Sequence, residues 1–212
     1  MTGIKEAENK MDERVKLILR ELNEDDSVLN LGCADLATGG VWVHALVCEK
    51  VKSASGIDIL SSEIEKYQDA GYDVKVDDAE TIQLDEKFDV VLAGELIEHL
   101  SNPGKFLDRA REHLRSDGRM ILTTPNAWCY HRFVSAAILG KVPVHDEHAC
   151  WYDKATLVQL LGRHGFKIDK IEFVRIPPKR KTTLLGNLLY FMGLKQVGSE
   201  TIFIKCSLNG KD

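Results

Sequence analysis

The sequence is poor in the features that mark several large protein classes. Its five cysteines, Cys33, Cys48, Cys129, Cys150 and Cys206, are scattered and never stand at C-x-x-C spacing. Neither a disulfide framework nor a zinc knuckle is therefore expected, and a reducing compartment is the simplest setting. No apolar run reaches the roughly 18 residues that would suggest a membrane span. Residues 1–24 are charged throughout and lack an apolar centre, so no secretory leader is expected and the cytoplasm is the expected location. Only 5 prolines among 16 glycines rule out a collagen-like or proline-rich chain. Positive charge is outnumbered, with 28 Lys and Arg against 33 Asp and Glu. A net charge of -5 argues against general affinity for a phosphate backbone, so nucleic acid is not an expected partner. The G-x-G-x-x-G dinucleotide signature and the P-loop are missing as well; Ala34 and Leu36 follow Gly32, and the next glycines are Gly39 and Gly40.

What is present is an alternation. With 212 residues, 44% hydrophobic and 29% charged, the chain is sized for one well-cored domain spanning 1–212. Residues 12–22 carry Val15, Ile18, Leu19 and Leu22 at helical spacing, which predicts an N-terminal helix within residues 1–24. A buried strand is expected at 27–31, a helix at 42–51, a strand at 54–59, a helix at 61–70 and a short strand at 72–76. Residues 88–94 form the clearest central strand. Asn102-Pro103 opens a helix with proline where its missing N–H costs nothing, and the strand at 119–123 follows. A helix at 153–165 and strands at 166–174 and 201–206 complete the chain. This pattern predicts an α/β doubly wound, Rossmann-like sandwich around a mostly parallel seven-stranded sheet with an antiparallel last strand.

In such sheets ligands bind beyond the carboxyl ends of the strands. Gly32, flanked by the small Cys33 and Ala34, lets a ligand approach the backbone there. Asp58 ends the second strand, where a carboxylate can accept from both ribose hydroxyls. Asp77-Asp78-Ala79-Glu80 follows the third strand, where an adenine amino group needs an acceptor.

Val28-Leu-Asn-Leu-Gly-Cys-Ala, Gly56-Ile-Asp, Asp78-Ala-Glu and Phe88-Asp-Val-Val-Leu-Ala-Gly-Glu-Leu-Ile-Glu-His-Leu occur in that order. Asn102-Pro and Gly118-Arg-Met-Ile-Leu-Thr-Thr-Pro-Asn follow. Over about residues 25–175 this series resembles the class I S-adenosylmethionine-dependent methyltransferases. Within them it resembles the branch containing ubiquinone-type O-methyltransferases and many small glycan-tailoring enzymes. The resemblance implies S-adenosyl-L-methionine as cofactor. Asn30, Gly32, Cys33, Ala34, Gly94 and Glu95 would surround its methionine part, Asp58 and Ile59 its ribose, Asp78 and Ala79 its adenine. Two positions depart from the family pattern: Asn30 replaces the usual acid, and Ala34 replaces the second loop glycine.

Methyl transfer requires alignment of donor and acceptor, plus a base when the acceptor is an unactivated hydroxyl. His99 and His148 are the candidate bases, because imidazole titrates near neutral pH. Glu95, Glu98 and His99 stand at i, i+3, i+4, so a short helix would carry all three on one face. Together with His145 or His148 they are similar to the metal set of RNA 3′-end 2′-O-methyltransferases, which suits Mg, Mn, Fe or Zn. A metal is not the preferred reading. His44 is expected to pack under the cofactor loop.

Asn126, Trp128, Tyr130 and His145 are the candidate acceptor contacts, and residues 127–150, with Phe133, Ile138 and Val142, are expected to cap the acceptor. Residues 176–200 form an apolar and basic insertion before the last strand. Within it, the basic Lys179-Arg180-Lys181 and the apolar run to Met192 leave two readings, a helix packed on the sheet edge or in a dimer, and one lying on a membrane surface. The expected function is O-methylation of a small-molecule or glycan acceptor, lipid-linked acceptors included. The alternatives are a metal-dependent RNA 2′-O-methyltransferase and a non-catalytic cofactor-binding protein of the same fold.

Overall fold

A computed structural model describes residues 12–34, 36–37, 41–142, 144–175 and 183–210. Asp35, Gly39, Gly40 and the basic run 179–181 lie outside the described residues. Helix α1 (Glu13–Arg20) begins where Asp12 Oδ1 accepts from Val15 N at 2.9 Å. Glu13 in its first turn and Arg20 in its last oppose the helix dipole favourably. Strand β1 (Ser27–Leu31) follows, then a two-residue pair, β2 (Leu36–Ala37) and β3 (Val41–Trp42), that the sequence pattern did not suggest. Next come α2 (Val43–Lys50), β4 (Ser53–Asp58), α3 (Ser61–Asp69), β5 (Val74–Val76) and β6 (Phe88–Gly94).

The second half holds α4 (Pro103–His113), β7 (Leu114–Pro125), α5 (Tyr130–Leu139) and α6 (Lys154–Arg163). Strand β8 (Phe166–Val174), α7 (Thr183–Phe191) and β9 (Thr201–Leu208) end the chain. α4 starts on an Asn102 cap with proline in its first turn, and α6 starts on a capping box between Asp153 and Thr156. β7 is longer than the expected 119–123. Leu114 pairs with Phe88, the register shifts, and regular pairing resumes at Arg119 opposite Val90.

The seven-stranded sheet has the order β5-β4-β1-β6-β7-β9-β8. β9 runs antiparallel to β7 and β8, while β1, β4, β5, β6 and β7 pair in parallel. The alternation of side chains along each strand separates two cores. Leu29, Leu31, Val91 and Ala93 face one side with Ile57, Ile97, Phe106 and Leu107; Val28, Val90 and Leu92 face the other with Ile18, Leu22, Ile121 and Phe203. α1 therefore closes one face and α4 the other. The strand order reverses between β1 and β6, and the ends of these strands, with those of β4 and β5, frame the switch-point crevice. Among the described residues no helix is long and apolar enough to cross a membrane.

Candidate cofactor and acceptor site

The turn after β1 is built around Gly32, which adopts φ +74 and donates from its N–H to Ile57 O at 2.8 Å. A Cβ there would meet Leu96 Cδ1 at 3.0 Å, so the position needs both the left-handed backbone and the missing side chain. Cys33 N also donates to Ile57 O, and Ala34 N donates to Asp58 Oδ2 at 2.9 Å. Asp58 Oδ1 accepts from Leu60 N at 3.0 Å, which fixes the carboxylate at the strand end. From outside, Trp42 Nε1 donates to Cys33 O at 2.6 Å and Tyr67 Oη to Ala34 O at 3.3 Å. Those two rings stack with centroids 3.7 Å apart. His44 lies beneath the loop as expected, fully buried, with Nδ1 3.2 Å from Asn30 Nδ2. Burial pushes its pKa down to about 4, so it is neutral.

A cleft of about 220 Å³ opens beyond these strand ends. Its walls include Gly32, Asp58, Ile59, Asp78, Ala79, Leu96 and His99. Asp78 Oδ1 caps its own turn by accepting from Glu80 N at 2.8 Å, and Glu80 Oε1 accepts from Asn102 N at the start of α4. A smaller recess of about 30 Å³, lined by Arg14, Asn30, Gly32, Cys33, Gly94 and Glu95, lies on the other side of the loop. Gly32 lines both. The two hollows thus meet over the glycine, with acids at one end and an arginine at the other.

Arg14 is the residue that sequence reading missed. It sits within the apolar stripe of α1, 7% exposed, and its Nε has no hydrogen-bond partner. A cation at an otherwise buried helix position, one turn before Ile18, was the available signal. Glu95 shares the recess with it. The backbone there turns at φ +54 while Glu95 N is held by Thr123 O and Oγ1 at 2.9 and 3.2 Å. Burial drives the Glu95 carboxyl upward against the pull of Arg14, and its Oε1 is buried without a partner.

The expected short helix carrying Glu95, Glu98 and His99 on one face does not form. Only a 3-10 turn, Ile97–His99, follows the left-handed Glu95; Glu95 lines the recess with Arg14, and its carboxylate still acts on Glu98. Glu98, His99 and His148 do converge, with one ligand-type atom of each within 4.8 Å of the others. Ala149 N and Cys150 N donate to Glu98 O at 2.8 and 3.2 Å, stitching the distant histidine segment to this turn. The His99 and His148 rings meet edge to face at 4.7 Å, and His145 stands 5.3 Å from His148. Burial first and the Glu95 carboxylate second push Glu98 up to about 8. Thr124 Oγ1 donates to Glu98 Oε2 at 2.8 Å; Glu98 Oε1 and His148 Nδ1 are buried without partners. Burial also lowers the His148 pKa, aided by His99 and His145.

On the acceptor side the expectations divide. Trp128 is 59% exposed and donates from Nε1 to Asp153. Tyr130 packs its ring against Gly186 of α7. Asn126 does not face the cleft. It is fully buried, its Nδ2 donates to Gln196 O and Ser199 O, and its Oδ1 accepts from Trp128 N. An amide consumed in this way braces the chain, so Asn126 is removed from the acceptor contacts.

A doubly wound sheet in this strand order, with a glycine turn over a cleft walled by acids, defines a nucleoside-binding α/β enzyme. A family model described as a methyltransferase domain matches residues 4–171. The ubiquinone biosynthesis O-methyltransferase of Rickettsia typhi is 29% identical over 204 residues, covering 88% of this chain and 80% of the relative. A chain of the Haloferax volcanii complex between the Trm112 methyltransferase activator and a putative methyltransferase superposes with a TM-score of 0.69 at 13% identity, covering 98% of this chain and 93% of that one. A methyltransferase of Archaeoglobus fulgidus gives 0.65 at 18% identity, covering 91% and 90%. The chain belongs to the class I S-adenosylmethionine-dependent methyltransferases.

Proposed function

We propose that this enzyme methylates a hydroxyl oxygen of a small-molecule or glycan acceptor. The observation that carries this reading is the His99–His148 pair, because His99 lines the cleft and its ring meets that of His148 edge to face. The O-methyltransferase name of the Rickettsia relative supports oxygen as the atom modified.

The residues fit the cofactor. Gly32 leaves room where a Cβ would intrude, and the orphaned Arg14 Nε and Glu95 Oε1 offer partners for a carboxylate and an ammonium group. In this reading Arg14, Asn30, Cys33, Ala34, Gly94 and Glu95 hold the methionine end, with Asp58 and Ile59 on the ribose and Asp78 and Ala79 on the adenine. When bound, S-adenosylmethionine supplies an electrophilic methyl on a positively charged sulfur. The acidic walls favour that charge. His99 or His148 accepts the acceptor's hydroxyl proton, which leaves that oxygen nucleophilic toward the methyl group the cofactor would supply. Residues 127–150 cap the acceptor, and alignment over the cleft supplies the remainder of the rate.

Transfer of a labelled methyl group to phenolic and sugar hydroxyls tests the reading. His99→Ala and His148→Ala are expected to lower kcat by about 10²- to 10⁴-fold for the base and little for the other. Full activity in both variants would remove the histidine pair from the chemistry.

A second reading rests on the orphaned Glu98 Oε1 and His148 Nδ1 beside His99. These three side chains suit a divalent cation that would orient the acceptor hydroxyl. Metal analysis of the purified protein against Glu98→Ala separates the two, since the first reading expects no ion that depends on Glu98.

A further inference from the structure

A second group of ligand-type side chains, none of them lining the cleft, lies at the start of α5. Cys129, His131 and Glu200 each place one donor atom within 4.8 Å of the other two. Cys129 is the N-cap residue of α5, yet its side chain makes no capping bond. Its sulfur instead stands 2.9 Å from His131 Nδ1. Glu200 comes from the segment entering β9, about seventy residues later, and the backbone already holds it there. Asn126 N donates to Glu200 O at 2.7 Å, and Tyr130 N donates to Val197 O at 2.9 Å. The three side chains are therefore brought together by a rigid frame and not by a flexible loop.

We propose that Cys129, His131 and Glu200 form a zinc site that ties the first turn of α5 to the start of β9. Sulfur, imidazole nitrogen and carboxylate oxygen are the three ligand types zinc takes, and three protein ligands leave a fourth position for water. One thiolate and one carboxylate balance the double charge of the ion, which is the condition for placing it beside a buried sulfur. Bond lengths of about 2.3 Å to sulfur and 2.0 Å to nitrogen separate tetrahedral ligand atoms by about 3.5 Å, so the Cys129–His131 pair opens by well under 1 Å to admit the ion. Binding replaces the thiol proton, which leaves to solvent as the sulfur–zinc bond forms. Burial pushes the pKa of that thiol up. The guanidinium of Arg132 is a nearby cation; its Nη1 donates to Asn126 O, and its charge acts on Cys129 as well as on Glu95 and Glu98.

The test uses the full chain, stripped with chelator and reloaded with zinc or cobalt. Wild-type protein is expected to retain one zinc per chain through gel filtration. Cobalt loading should add the intense near-ultraviolet band of thiolate-to-cobalt charge transfer. Cys129→Ser should abolish that band and weaken zinc binding at least about tenfold, the effect already seen when only an outer-shell partner of a ligand is lost. Glu200→Gln, which keeps the shape of the side chain, should weaken binding in the same direction. His148→Ala should leave the band intact, because the Glu98–His99–His148 group holds no sulfur. Zinc content unchanged in Cys129→Ser, a cobalt spectrum without the thiolate band, or no retained zinc in the wild-type chain would each overturn the proposal.

Discussion

At the scale of single residues, the recess beside Gly32 is governed by one cation buried where the sequence pattern calls for a hydrophobe. Arg14 faces Glu95 across a space of about 30 Å³, and neither group is satisfied by the chain alone. Hydrogen bonds to charged groups contribute roughly 1.5–3 kcal/mol. Arg14→Ala is therefore expected to weaken S-adenosylmethionine binding by about tenfold to a hundredfold in calorimetry, with Arg14→Lys intermediate; unchanged affinity would remove Arg14 from the methionine end. His44 provides a test of the loop from below. It is fully buried with its pKa lowered to about 4, so between that value and the ordinary 6.5 the unfolded chain binds a proton that the folded chain does not. Stability contributed by the neutral ring is present above pH 6.5 and is lost as pH falls toward 4, by about 3 kcal/mol in all. Urea unfolding at pH 7, 6 and 5 should show this slope in the wild type and a shallower one in His44→Gln. Equal slopes would mean that another group carries the acid limb.

At the scale of elements, the central strands were legible because strands covered on both faces are continuous apolar runs, and residues 27–31 and 88–94 read in no other way. The acids at Asp58 and Asp78 were legible for a related reason: they stand immediately after such runs. What could not be read depended on length or direction. β2 and β3 have two residues each, too few for any periodicity. The stretch after Gly94 has helical spacing, but the left-handed turn at Glu95 breaks the helix before it starts, and only a 3-10 turn follows. Asn126 carries an exposed-type side chain and is buried only because residues 196–199 return beside it, a contact made across some seventy residues. The loop after β1 was partly legible, and its glycine can be tested directly. Gly32→Ala would force a side chain into φ +74, at about 1–2 kcal/mol, and press its Cβ on Leu96 at 3.0 Å. Cofactor affinity should fall further than thermal stability, since the same methyl group enters the cleft; a loss of stability with affinity retained would place the cofactor elsewhere.

At the scale of the whole molecule, two helices carry a large share of the exposed apolar side chains. Phe133, Ile138 and Leu139 of α5 and Leu188 and Phe191 of α7, with Met192 just beyond it, are all more than half exposed. The two helices touch where Tyr130 lies against Gly186, so their apolar residues belong to neighbouring surfaces. α5 follows the turn at the end of β7, within the 127–150 segment proposed to cap the acceptor. Exposed apolar side chains gathered on neighbouring helices mark a surface suited to being covered when the protein works. In the O-methylation reading its occupant is the hydrocarbon part of the acceptor, and the polar hydroxyl alone enters the cleft. Covering an exposed aromatic ring contributes on the order of 1.5 kcal/mol, so each lost ring raises KM by about tenfold. Phe133→Ser and Phe191→Ser are expected to raise KM by that factor for an acceptor with a long alkyl or isoprenoid chain while kcat holds, and to leave a chain-free acceptor of the same head group unaffected. The chain-free acceptor is the control that matters, because general damage to the fold would lower both activities together. Equal loss on both acceptors, or none on either, would free the patch from substrate binding and leave a partner surface as its use.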